Sequence, residues 1–138
     1  MYLLDTCIIS ETRNKTPNPG VMNWLAKQDE STLFLSALTL GEVKKGICAL
    51  GKTAKARELA KWLAKLESEF QGRILAVNAT VAELWGEIMS NAAKTGKPRP
   101  PIDALIAATA LAENLTVVTH NTADMRHTGV KILDPFTS

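Results

Sequence analysis

Cysteine and histidine are scarce in this chain, two of each. Cys7 and Cys48 form no CxxC pair and no Cys/His cluster at zinc spacing, which argues against a redox motif and a structural zinc site. Both read as reduced packing residues. His120 and His127 have no second histidine at helical spacing, so they read as loop or surface residues rather than metal ligands. No apolar run approaches the roughly 18 residues that cross a bilayer. The N-terminus lacks the basic-then-apolar layout of a signal peptide, and Asp5 interrupts it at once. Cytoplasmic location and no membrane partner are the expectation. Repeats and low-complexity tracts are also missing. Net charge is small, with 16 basic against 14 acidic side chains. If four acids were gathered in one pocket, the remaining surface would hold 16 basic and 10 acidic groups. Such a surplus suits a polyanionic partner.

What is present is ordinary globular material: 46% hydrophobic and 22% charged over 138 residues. That length predicts one domain over residues 1–138. Short apolar runs alternate with helical stripes. Strands are expected at 2–5, 32–36, 73–77, 115–119 and 130–133. Helices are expected at 6–12, from Asn18-Pro19 to about 29, from Thr39 to Gly51, at 53–70, from Asn78 or Thr80 to 94, at about 101–114, and briefly after Asn121. Gly96 to Pro101 reads as a stiff loop. The alternation predicts an α/β fold, a central parallel sheet of about four to five strands with helices on both faces. Trp62 and Trp85 lie on apolar helix faces and read as core; Trp24 is a candidate for a partner's docking groove.

Four acids recur in equivalent places. Asp5 ends the first strand. Glu42 closes Thr39-Leu40-Gly41-Glu42, a capping-box pattern. Asp103 lies in the first turn of a proline-led helix, where the helix dipole favours an anion. Asp124 lies three residues after Asn121. Each alone reads as a cap. Together, with right-handed crossovers, such positions share the carboxyl edge of a parallel sheet, where ligands bind. Gly46 and Ala49 follow Glu42 on its helix face, and Ala107 and Ala110 follow Asp103; small residues there leave room for a cleft, although they also suit close helix contacts. Clustered carboxylates cannot all ionise cheaply, so some hold protons or a cation binds. Oxygen ligands favour Mg²⁺ or Mn²⁺. Such an ion can polarise a phosphodiester and activate water for in-line attack.

Tyr2-Leu3-Leu4-Asp5-Thr6 with Ile8-Ile9-Ser10-Glu11 resembles the opening of PIN-domain ribonucleases. The likeness continues through Leu35–Glu42, Gly72–Leu75, Pro101–Ala110, Val118–Asp124 and Leu133–Phe136. More narrowly it is similar to the VapC toxins of type II toxin–antitoxin pairs, in their FitB-like branch. The resemblance implies a metal-dependent endoribonuclease that arrests growth unless an antitoxin blocks it. Asp5 and Asp103 would bind Mg²⁺ (or Mn²⁺) directly, and Glu42 and Asp124 directly or through water. Thr6, Thr119 and Asn121 fall where the family keeps supporting polar groups. The implied partners are RNA, a structured one such as tRNA being the expected target, and an antitoxin. The implied assembly is a homodimer within a toxin–antitoxin hetero-oligomer that reaches operator DNA through the antitoxin. Three positions depart from the family pattern. Cys7 stands where Asn is frequent, His120 where Arg is common, and Met125 where an aromatic is usual; the last is expected to loosen the Asp124 turn.

Lys44, Lys45, Lys55, Arg57, Lys94, Lys97 and Arg99 are candidates to follow an RNA backbone. Lys97 and Arg99 are preferred because their loop leads into Asp103. Two other readings compete. A Mg²⁺-binding receiver-like signalling domain would need an acidic pair after the first strand, an acceptor Asp after a central strand and a late Lys. Asp5 stands alone, no Asp follows the third strand, and Thr119-His120-Asn121 lacks the Lys. A non-catalytic interaction module would leave all four acids as caps.

Overall fold

The computed structural model describes residues 1–97 and 99–137, the last by its backbone alone. Pro98, in the loop expected to be stiff, lies outside the described residues. Five parallel strands form one sheet: β1 (Tyr2–Leu4), β2 (Leu33–Ser36), β3 (Ile74–Leu75), β4 (Thr116–Val118) and β5 (Ile132–Leu133). Their order is β3-β2-β1-β4-β5. The chain builds outward from β1 to β3 and then crosses back to start β4 on β1's other side. That reversal creates a crevice between the carboxyl ends of β1 and β4, the place where open α/β sheets bind ligands. The register Leu4↔Val118 brings Asp5 and Thr119 out side by side.

The helices among the described residues are α1 (Thr6–Glu11), α2 (Pro19–Ala26), α3 (Ala37–Ala49), α4 (Ala54–Glu69), α5 (Ala79–Lys94), α6 (Pro101–Ala112) and α7 (Thr122–Met125). Local chemistry starts most of them. Asn18, Thr53 and Asn78 accept from backbone N–H groups three residues on, satisfying donors that the first turn leaves free. Gly51 ends α3 at φ +64°, a conformation that suits glycine.

Two buried clusters sandwich the sheet. One joins Leu3 and Val117 to α5, α6 and Met125 of α7. The other joins Leu4, Leu35 and Val118 to Ile8, Ile9, Val21 and Leu66 of α1, α2 and α4. Alternate residues of one strand serve opposite faces, as strand geometry requires. Trp62 and Trp85 pack partly buried against these clusters, and Trp24 meets Tyr2 edge-on at 4.9 Å.

Several expectations change. Cys7 is partly buried but Cys48 is exposed, so only the first is a packing residue. Thr39 does not start α3: Ser36 caps it three residues earlier, its hydroxyl accepting from Leu38 N at 3.1 Å. Thr39 is buried, and its hydroxyl has no partner among the described residues. Ala107 and Ala110 are fully buried, so they serve close helix packing and not a cleft. Met125 is also fully buried, in one core cluster with Leu3, Ala104 and Val117.

Candidate active site

Asp5 is only 5% exposed. One carboxylate oxygen accepts from Thr6 N at 2.9 Å and the other accepts from Thr119 Oγ1 at 2.8 Å. It therefore does cap α1, but its second oxygen is held by a residue 114 positions away. Thr119 Oγ1 in turn accepts from Asn121 N at 3.0 Å. Thr6, freed from capping by its own hydroxyl, donates that hydroxyl to Glu42 Oε1 at 2.7 Å. Glu42 is thus oriented toward α1 and takes no part in a capping box.

Asp103 sits in the first turn of α6 and Asp124 in the first turn of α7. The Asp103 carboxyl is pushed up to about 6: burial is the largest cause, followed by the charges of Asp5, Asp124 and Glu42, and a hydrogen bond with Asp124. One side chain therefore feels all three other acids. The edge the sequence pattern pointed to is a real meeting place, at the crevice between β1 and β4.

The donors are oxygens throughout. Among the described residues, no three acidic, histidine or cysteine side chains close on one point. An all-oxygen donor set is the kind that Mg²⁺ takes, through one or two carboxylates and several waters. Asp5, fixed by two donors, and Asp103, whose charge is disfavoured until a cation relieves it, are the side chains fitted to hold one.

Two of the positions that depart from the family pattern border the acids. Cys7 Sγ lies 4.0 Å from Asp5 Oδ2 and 3.7 Å from Thr119 Oγ1, and accepts from His120 N at 3.5 Å. Burial pushes its thiol up, the His120 N–H pulls part of the way back, and the Asp5 charge adds to the rise. His120 Nδ1 meets Asp134 Oδ2 at 3.0 Å. The basic candidates separate. Lys45 lines a cleft of about 830 Å³ together with Glu42, Gly46, Ala49, Val77 and Ile102. Arg99 lines a different hollow with Met89, Ala92, Ala93 and Gly96, at the end of α5, and Lys97 is exposed beside it.

The PIN domain family profile matches residues 2–131; the chain belongs to the PIN domain family. Within it, the chain is 35% identical over 137 residues to "Toxin FitB" of Neisseria gonorrhoeae, covering 99% of both proteins. It is 32% identical over 140 residues to "VapC ribonuclease Y4jK" of Sinorhizobium fredii, covering 99% of this chain and 98% of that one. The crystal structure of FitAcB from Neisseria gonorrhoeae superposes with a TM-score of 0.90 at 34% identity, covering all of both chains.

Proposed function

We propose that this chain is a divalent-metal-dependent endoribonuclease, the toxin of a type II toxin–antitoxin pair. The observation that carries the reading is geometric: Thr6 binds Asp5 through its N–H and Glu42 through its hydroxyl, and Thr119 of the neighbouring strand end holds the other Asp5 oxygen. The raised Asp103 carboxyl, with the charges of Asp5, Asp124 and Glu42 among its causes, supports it. The names of its relatives, one a ribonuclease and one a toxin, support the same reading.

A bound Mg²⁺ or Mn²⁺ would be held by Asp5 and Asp103, with Glu42 and Asp124 completing the shell directly or through water. When bound, it supplies positive charge to a phosphodiester and makes a water acidic enough to act as nucleophile. The chain's own part is positional. Thr119 and the Thr6 N–H fix the Asp5 carboxylate in one rotamer. Thr6 does the same for Glu42. The Asp103 carboxyl, raised to about 6, keeps a proton in mildly acidic solution and would release it more readily when a cation arrives. Lys45, beside Glu42, is the cation best situated to meet an RNA phosphate. The products would carry 5′-phosphate and 3′-hydroxyl ends.

The partner would be an antitoxin. The apolar cleft of about 300 Å³ walled by Ile9, Leu25, Trp62, Leu66 and Phe70 is the surface we assign to it. A homodimer within the toxin–antitoxin complex, reaching operator DNA through the antitoxin, completes the reading. Inducing the gene alone in cells and sequencing RNA 5′ ends tests it. Growth arrest with new, discrete 5′-phosphate ends is expected, and both should vanish for Asp5→Asn. Normal growth with unchanged ends would contradict the reading.

A further inference from the structure

The residue that follows Thr119 is built more carefully than a loop residue needs. His120 is aromatic, and its side chain is 56% exposed. Its Nδ1 edge faces both oxygens of Asp134, at 3.0 and 3.3 Å. A carboxylate only accepts, so Nδ1 carries the proton. One ring face lies against Phe136, centroid to centroid 4.4 Å with a 36° tilt. Asp134 is itself fixed, its Oδ1 accepting from Phe136 N at 2.9 Å. The His120 backbone is held too, since its N–H donates to the Cys7 sulfur at 3.5 Å. With these contacts made, more than half of the side chain is still exposed.

This half-open ring stands at the rim of the acid cluster. Thr119, its neighbour, touches Asp5 directly. Cys7, which holds its N–H, is 4.0 Å from Asp5 Oδ2. A rigid, exposed aromatic face one residue from a phosphodiester-cutting site matches a need of that chemistry. Cleavage in a single-stranded region leaves bases unstacked, and an aromatic side chain restores their stacking without regard to sequence. A ring already immobilised loses little further entropy when the base arrives.

We propose that His120, held at its edge by Asp134 and on one face by Phe136, is a stacking platform for a nucleobase of the single-stranded RNA beside the scissile phosphate. The inference rests on the ribonuclease reading and adds the residue that grips the base.

The test measures binding, not cutting. An end-labelled pool of random 12-nucleotide single-stranded RNAs is titrated with Mg²⁺ present, all proteins carrying Asp5→Asn. His120→Ala removes the ring. His120→Asn keeps a donor for Asp134 without the ring. His120→Phe keeps the ring without the donor. Stacking predicts that the Ala and Asn variants bind about 5- to 50-fold more weakly while Phe stays within about twofold. A purely structural latch predicts the reverse order, Asn tight and Phe weak, and that result overturns the proposal. So does equal binding by all variants, in which case cleavage by the protein with native Asp5 still upholds the nuclease. Failure of every protein to bind RNA overturns both readings together.

Discussion

Thr119 uses one oxygen twice, donating to Asp5 and accepting from Asn121 N. The family resemblance marked Thr119 and Asn121 as supporting groups, but not which atoms they hold. The partner lies 114 residues away, and only the parallel register of β1 with β4 brings the two together. The four acids were legible, because each sits after a strand or in a first turn, and those positions share an edge in any parallel α/β sheet. Cys7 and His120 stood out only as departures from the family pattern, and their contacts were not legible, because a sulfur and an imidazole can be packing or surface groups until their neighbours are known. Thr119→Val should leave the Asp5 oxygen unpaired and lower RNA cleavage about 10- to 100-fold, as loss of a supporting group to a metal ligand does. Steady-state cleavage with a circular dichroism control measures it; full activity would show that Asp5 needs no help. Asp103 makes a pH prediction. Its carboxyl ordinarily ionises near 3.8 and is raised to about 6 in the fold. Below the lower value both states are protonated and the fold carries no penalty. As pH rises through the folded value, the unfolded chain has already ionised and the fold loses stability. In chelator, the melting temperature of Asp103→Asn should therefore gain on wild type as pH climbs from about 4 to about 7. A constant difference would show that the site does not disfavour the charge.

Helix starts were readable where a cap and the N–H that donates to it lie within three residues, as at Asn18, Thr53 and Asn78. At α3 the same reasoning went astray. Ser36 ends β2 and caps α3 at once. Of the T-x-x-E pattern that follows, Glu42 turns to Thr6 instead of to the helix start. A local motif lost to a long-range hydrogen bond. Replacing Ser36 by Ala should cost about 1 kcal/mol, the usual worth of such a cap, whereas Thr39→Val should cost little or add stability, since its buried hydroxyl has no partner among the described residues. Chemical denaturation of both variants checks the order. α7 is only four residues long and depends on packing. Met125 is its anchor, fully buried among Leu3, Ala104 and Val117. Met125→Ala should cost about 2–5 kcal/mol and reduce activity as well, because Asp124 rides on the same turn. Destabilisation with unchanged turnover at low temperature would separate Asp124 from the chemistry.

For the molecule as a whole, the order β3-β2-β1-β4-β5 is the decisive fact. It opens a crevice at β1 and β4 and brings the amino ends of α1, α3, α6 and α7 to the same edge, so acids from four separate parts of the chain share it. A net charge of +2 conceals this division. The acids gather at the crevice, and Lys45 borders it through the Glu42 cleft. RNA affinity should fall steeply with salt, and Lys45→Ala should reduce the slope of log affinity against log salt by about one. The central claim is that the Asp5 and Asp103 carboxylates together make this fold a metal-dependent ribonuclease. Its most direct measurement is cleavage of RNA by the purified chain with and without Mg²⁺, comparing wild type, Asp5→Asn and Asp103→Asn, with product ends identified. The account predicts 5′-phosphate ends from wild type in Mg²⁺, none in chelator, and at least about 100-fold less from either variant while both remain folded. Undiminished cleavage by either folded variant, or by wild type in chelator, would contradict it.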